Sequence, residues 1–140
     1  MAALIAGVAL LATALIHLLV VLRKIWFDQE EAERMVRAFS RLPSGPEVQR
    51  GAVRGMATIN AMLLTMGIFL VAVGSWELQG GGAMGEPLKT LLRVTLIGFL
   101  VLFAAHLSTI WFNFPRFLAL PHMRGDAGLI TAALRKRRNG

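Results

Sequence analysis

The stretch MAALIAGVALLATALIHLLVVL, residues Met1–Leu22, contains no Asp, Glu, Lys or Arg. Two later stretches share this property, Gly55–Trp76 and Val94–Asn113. Each is close to the roughly 20 residues that a helix needs to cross the hydrocarbon core of a bilayer. The sequence therefore predicts an all-α integral membrane bundle of three transmembrane helices, accompanied by interfacial amphipathic helices. The predicted spans cover residues 2–22, 55–76 and 92–113.

The composition favours a single membrane domain over residues 1–140, because 56% of the chain is hydrophobic. Cysteine is absent, which excludes disulfides, zinc–thiolate sites, thiol catalysis and Cys-ligated iron–sulfur clusters. The basic residues behind the net charge of +7 flank the apolar spans. Anionic lipid headgroups are therefore the expected partners, and nucleic acid is not.

The Lys and Arg residues are distributed unevenly between the loops. Seven of the 15 lie between the first two charge-free stretches, and six lie in the basic tail, residues 114–140. The positive-inside rule places both segments in the cytoplasm and the N-terminus outside, in a plasma or inner membrane. No Lys or Arg precedes the first apolar run, so we expect a permanent helix rather than a signal peptide.

The tail contains a second apolar stretch, Phe117–Leu134, which we do not expect to cross the membrane. Arg124 and Asp126 interrupt it, and each charge costs about 2.5–3.5 kcal/mol at the bilayer centre. Asp126 is instead a candidate cap for a short last helix. The cluster Arg135–Arg138 is then expected at lipid headgroups.

Residues 28–42 form a cytoplasmic loop that is typical of an amphipathic helix. Asp28 with Glu31 fits a capping box at its start. Its apolar stripe comprises Ala32, Met35, Val36, Phe39 and Leu42. Two i,i+4 ion pairs are expected, Glu30–Arg34 and Glu33–Arg37. We expect the stripe to face the lipid boundary or the bundle; the alternative is a docking surface for a partner subunit.

Three polar residues, His17, Asn60 and His106, interrupt the charge-free stretches at a similar depth. Counted along each helix, all three lie about 7–11 Å inside the cytoplasmic boundary. Small residues share the helix face of His17, which predicts that this face packs in the bundle. They are Thr13, Ala9, Ala6 and Ala2. The leucine-rich opposite face is expected in lipid, so the three polar residues are predicted to face one another.

Three roles are open for this layer. The first is interhelical hydrogen bonding that fixes helix register. The second is cofactor ligation, with His17 and His106 holding a haem iron axially or each holding a chlorophyll magnesium. Arg23, Lys24 and Arg54 would then meet anionic groups of the cofactor. The third is an acid–base site at either histidine, although no span contains a carboxylate. No other metal site is indicated.

The sequence RGAVRGMATIN, residues Arg50–Asn60, resembles the Arg-rich stretch that opens the second helix of the MAPEG glutathione-transferase and eicosanoid enzymes. The resemblance implies a small membrane enzyme that acts on lipophilic substrates. The family pattern also places a His between the Arg and the Asn and a Glu after them. Neither occurs around Arg54 and Asn60, so no catalytic role is transferred.

The sequence contains no recognisable catalytic constellation. It favours a non-catalytic subunit or scaffold of a membrane complex, assembled with other membrane subunits or with further copies of the chain. The alternatives are a haem- or chlorophyll-binding component and a small MAPEG-like membrane enzyme.

Overall fold

A computed structural model describes residues 1–41 and 45–138. The first membrane helix consists of α1 (Ala2–Ile16), a π-helical stretch (His17–Leu22) and α2 (Arg23–Phe27). The remaining α-helices are α3 (Gln29–Phe39), α4 (Pro46–Arg54), α5 (Met56–Leu78), α6 (Glu86–Phe112) and α7 (Leu129–Arg138). Two short 3₁₀ turns, Arg116–Leu118 and Pro121–Met123, lie between α6 and α7.

Three helices are long and apolar enough to cross a membrane, which confirms the all-α class and the number of spans. They are Ala2–Phe27, Met56–Leu78 and Glu86–Phe112. The first ends where Asp28 adopts an extended conformation. The third begins at Glu86, six residues before the predicted apolar span, because Pro87 occupies the first turn after the cap residue Gly85. Within the described residues no fourth helix meets these criteria.

The second span, α5, lies between the other two and packs against both α1 and α6. Its contact with α1 is closest at glycines. A Cβ atom on Gly7 would lie 2.6 Å from the backbone nitrogen of Val71, and one on Gly74 would collide with the backbone of Leu4. At one end of this pair, the N-terminal amine of Met1 contacts the Glu77 carboxylate at 3.0 Å. Because glycine has no side chain, the two helix backbones can approach closely at these positions, as is common between membrane helices.

The predicted packing face of α1 is wrong for its small residues, although His17 does face α5 as expected. Ala2, Ala6, Ala9 and Thr13 are all exposed, whereas Gly7 and Ala14 are buried. Leu4 and Leu11 belong to the leucine-rich face that was expected in lipid, but they contact Gly74 and Gly67 of α5. Both faces of α1 are apolar, so hydrophobicity does not distinguish them. The decisive property is backbone approach, which Gly7 permits more fully than any alanine.

The end of the bundle that carries α2, α3 and α4 has its own apolar core. Buried side chains from all these helices and from the segment after α6 form one cluster: Leu22, Ile25, Ala32, Val53, Met56, Leu120 and Met123. Met35, Val36 and Phe39 of the amphipathic stripe pack against it. The stripe therefore faces the bundle, which is one of the two expected positions. Leu42 lies outside the described residues.

The polar contacts of α3 differ in part from those expected. Asp28 Oδ1 accepts hydrogen bonds from the backbone N–H groups of Glu30 at 2.8 Å and Glu31 at 3.3 Å, which confirms the N-cap. The expected i,i+4 pairs are wrong. Arg34 binds Glu31 at 2.7 Å, and Glu33 binds Arg50 of α4 at 2.6 Å. Glu33 pairs with Arg50 because α3 packs against α4.

Enlarging Gly7 tests the packing of α1 on α5. The substitution Gly7→Leu should lower the free energy of unfolding by about 1–3 kcal/mol, because the added side chain overpacks the helix contact. Ala6→Leu is the matched control, since Ala6 is exposed and its replacement should stay within about 0.5 kcal/mol. Thermal unfolding in detergent micelles, followed by circular dichroism, measures both. A larger loss from Ala6→Leu than from Gly7→Leu would contradict the observed packing.

Candidate functional site: a buried arginine and the polar layer

Arg54 is the last residue of α4 and is almost completely buried, at 1% exposure. Two glycines of this region bring α4 close to α6. A Cβ atom on Gly51 would lie 3.0 Å from the Ile110 side chain, and one on Gly55 would lie 2.6 Å from the His106 ring. This approach places the Arg54 guanidinium against the end of α6.

The Arg54 guanidinium donates hydrogen bonds to two backbone carbonyls. Nη1 lies 3.3 Å from the oxygen of Ala127, and Nη2 lies 3.1 Å from the oxygen of Ile110. Nε is buried without a partner. Ile110 belongs to the last turn of α6, where unpaired carbonyls carry a partial negative charge that stabilises a cation. Arg54 thus joins α4, α6 and the segment after α6 without a direct carboxylate partner.

Burial lowers the pKa of Arg54, an effect that the nearby Asp126 carboxylate partly opposes. Because arginine titrates far above neutral pH, the group remains charged. A charge at this depth is tolerated only if its donors are largely satisfied. This end of the molecule can therefore fold only with the Arg54 guanidinium placed against its two carbonyl acceptors.

One turn before it in α4, Arg50 forms a second junction. Its Nε contacts Asp126 Oδ2 at 2.9 Å, and its Nη2 contacts Glu33 Oε1 at 2.6 Å. The hydrogen bond that Arg50 donates to the Asp126 carboxylate raises the pKa of Arg50. Asp126, a predicted helix cap, instead uses its carboxylate to hold α4. These ion pairs link α3, α4 and the segment after α6.

Residues 113–128, between α6 and α7, form a segment that we call the strap. It begins at Asn113, whose left-handed conformation (φ 54°) ends α6. The Asn113 side-chain nitrogen donates to the carbonyl oxygens of Arg124 at 3.0 Å and Asp126 at 2.6 Å, and Met123 lies at 3.4 Å. One amide thereby closes the strap into a compact loop. At its far end Gly128 packs directly on the backbone of Trp111 and Phe112.

The polar layer consists of two separate hydrogen-bonded groups. His17 Nδ1 lies 3.1 Å from Asn60 Oδ1, which requires the proton on Nδ1. Thr58 donates its hydroxyl proton to the Gly55 carbonyl at 2.7 Å, so it accepts from His106 Nδ1 at 2.8 Å. In the neutral form of either histidine, Nδ1 therefore carries the proton and Nε2 the lone pair.

The two histidines do not face each other, contrary to the sequence-based expectation. Their partners Thr58 and Asn60 are two residues apart on α5, which is about 200° around a helix. His17 and His106 consequently lie on opposite sides of α5. This geometry does not support axial ligation of one haem by both histidines of a single chain. Binding of a macrocycle at either histidine alone remains a prediction.

The candidate anion-binding arginines occupy different environments. Arg54 is buried and bound to carbonyls, so it does not present its guanidinium to a ligand or substrate. Arg23 is exposed and has no hydrogen-bond or ion-pair partner among residues 1–41 and 45–138. Of the sequence-predicted cationic partners, Arg23 and the neighbouring Lys24 are thus the ones available for an anion. In the same ranges, no three His, Asp or Glu side chains are grouped to hold a metal ion.

The comparisons with known proteins identify no relative. No protein-family model matches the chain, and neither the curated proteins nor the solved structures contain a match.

A visible absorption spectrum tests whether the histidines ligate a cofactor. If their role is interhelical hydrogen bonding, the protein purified from its native membrane should show only the near-ultraviolet absorption of its three tryptophans. The variants His17→Ala and His106→Ala, made separately, should leave that spectrum unchanged. A Soret or chlorophyll band that disappears in one variant would instead assign a macrocycle to that histidine.

Proposed function

We propose that the chain is a small non-catalytic subunit or scaffold of a membrane complex. The observation that carries the proposal is the contrast between its interior and its surface. Within the spans His17 hydrogen-bonds with Asn60 and Thr58 with His106. Four further threonines donate to backbone carbonyls of their own helices: Thr13, Thr65, Thr95 and Thr109. These polar groups therefore stabilise the fold of the chain itself.

The outward surface of the spans supports assembly. Because α5 lies between the outer helices, α1 and α6 both pack on it, and α6 also contacts α4 and α7 near its C-terminal end. In an apolar 18-residue stretch of the third span, only 6% of the residues are buried within the chain. Val94, Ile97 and Val101 are each at least 60% exposed and share one face of α6. Helices of other membrane subunits can pack against such surfaces, and lipid covers the part of the surface that remains exposed.

The orientation is part of the same proposal. The two segments rich in Lys and Arg lie at the same end of the bundle as the core cluster and the strap, so this end faces the cytoplasm of a plasma or inner membrane. The N-terminus and the glycine-rich loop at residues 79–85 then face outside. The folded cytoplasmic end gives the complex a rigid surface on that side.

Native extraction tests the assembly directly. In lipid nanodiscs excised from the source membrane, the protein should be found in particles whose protein mass exceeds the 15.3 kDa of one chain. Light scattering and native mass spectrometry measure that mass and distinguish further copies from other subunits. A lone chain of 15.3 kDa in every lipid composition would contradict the proposal.

The cysteine-free sequence allows a matched cross-linking control. Val101→Cys on the exposed face of α6 and Ala72→Cys on the buried face of α5 are the paired variants. Oxidation or a short thiol cross-linker should join Val101→Cys, and not Ala72→Cys, to a neighbour if the assembly covers α6. Cross-linking of Ala72→Cys alone would show that the fold itself differs.

A further inference from the structure

An apolar groove of about 470 Å³ lies where the first membrane helix meets the start of α5. Leu19, Leu22 and Phe27 form much of its wall, and Ala57 of α5 lines it with only a methyl group. Arg23 is its one charged lining residue. The volume is within the range of small-molecule sites, about 300–1,000 Å³, and the lining combines a hydrocarbon surface with a single cation.

The groove is placed at the edge of the hydrocarbon region. Arg23 and Lys24 directly follow the 22 residues without charge that open the chain. Trp26, which also lines the groove, has no hydrogen-bond acceptor for its indole N–H among the described residues. Tryptophan with an apolar body and a free N–H is typical of the headgroup level. A ligand here would meet acyl chains on one side and headgroups on the other.

The charges at the groove favour an anion. Neither Arg23 nor Lys24 has a carboxylate partner in residues 1–41 and 45–138. Two acidic residues lie near them, and both are engaged elsewhere. The Asp28 carboxylate caps α3, and Glu31 binds Arg34 at 2.7 Å. Arg23 therefore complements a phosphate at the mouth of the apolar groove, whereas Lys24 lines an adjoining pocket together with Arg23.

We propose that this groove binds one anionic phospholipid. Its phosphate contacts Arg23, and one acyl chain lies along Leu19, Leu22 and the methyl group of Ala57. The site is independent of the proposed scaffold role, since it requires only that the first helix span the bilayer.

Quenching of Trp26 fluorescence tests the site in reconstituted vesicles. The reporter is the full-length chain with Trp76→Phe and Trp111→Phe, which leaves Trp26 as its one tryptophan. Vesicles of phosphatidylcholine are supplemented with one of two lipids that have brominated acyl chains. One is brominated phosphatidylglycerol and the other is brominated phosphatidylcholine. Phosphatidylglycerol should compete for the site roughly fivefold more effectively than phosphatidylcholine, as expected from about 1 kcal/mol per cation.

Two variants and one control identify the contacts. Arg23→Gln, at an exposed position that should not affect folding, should reduce the preference for phosphatidylglycerol to near unity. Ala57→Leu fills the groove and should weaken quenching by both brominated lipids. Arg93→Gln, an exposed arginine near the other end of the third span, should retain the full preference.

Other results overturn the proposal. Equal quenching by the two lipids, or a preference that persists in Arg23→Gln, would show that no anionic lipid is selected here. Absence of quenching by either lipid, together with cross-linking of Leu19→Cys to a second chain, would show that a copy of the protein fills the groove.

Discussion

The buried guanidinium of Arg54 is the interaction on which the charged end of the molecule depends. A desolvated cation must find acceptors, and it finds them in the carbonyls of Ile110 and Ala127. Ile110 lies in the last turn of the third span, Ala127 lies near the end of the strap, and Arg54 itself ends α4 just before the second span begins. One side chain thus fixes three segments that are far apart in sequence. The ion pairs of Arg50 extend this junction to α3.

Within the spans, the dominant constraint is the approach of helix backbones. Gly7, Gly67 and Gly74 bring α1 and α5 together, and that contact places His17 beside Asn60. The π-helical stretch that begins at His17 then changes the helical phase and turns Leu22 and Ile25 towards the core cluster. The hydrogen bonds of the polar layer follow from this packing. Each contributes only about 0.6 kcal/mol on average in membrane proteins, so they specify register more than they supply stability.

The sequence predicted the features that the bilayer itself enforces. Charges are costly in hydrocarbon, so their positions mark the three spans and exclude a crossing at Phe117–Leu134. The Asp28 cap was also predictable, because it depends on residues two and three positions away. Asn60 and His17 were correctly expected to share a depth, since helical rise alone determines it.

The remaining features depend on contacts between distant residues. Helix α1 is apolar all round, so its packing face could not be found from hydrophobicity. Glu33 pairs with Arg50, 17 residues away, in preference to a neighbour on its own helix. Arg54 was expected to meet lipid or a cofactor because nothing local reveals the carbonyls that surround it. A signal was present in the glycines at positions 51 and 55, which indicate close backbone approach beside the two arginines.

Arg54 holds the strap against the bundle through its carbonyl contacts, and thiol labelling measures this role directly. Ala119 in the strap is fully buried, and the chain has no natural cysteine to interfere. Ala119→Cys should react slowly with a water-soluble maleimide. Adding Arg54→Ala should accelerate the reaction about tenfold for each 1.4 kcal/mol of local stability lost. Thr90→Cys, exposed in α6, should react at the same rate in both backgrounds. Unchanged protection of Ala119→Cys without Arg54 would contradict the account.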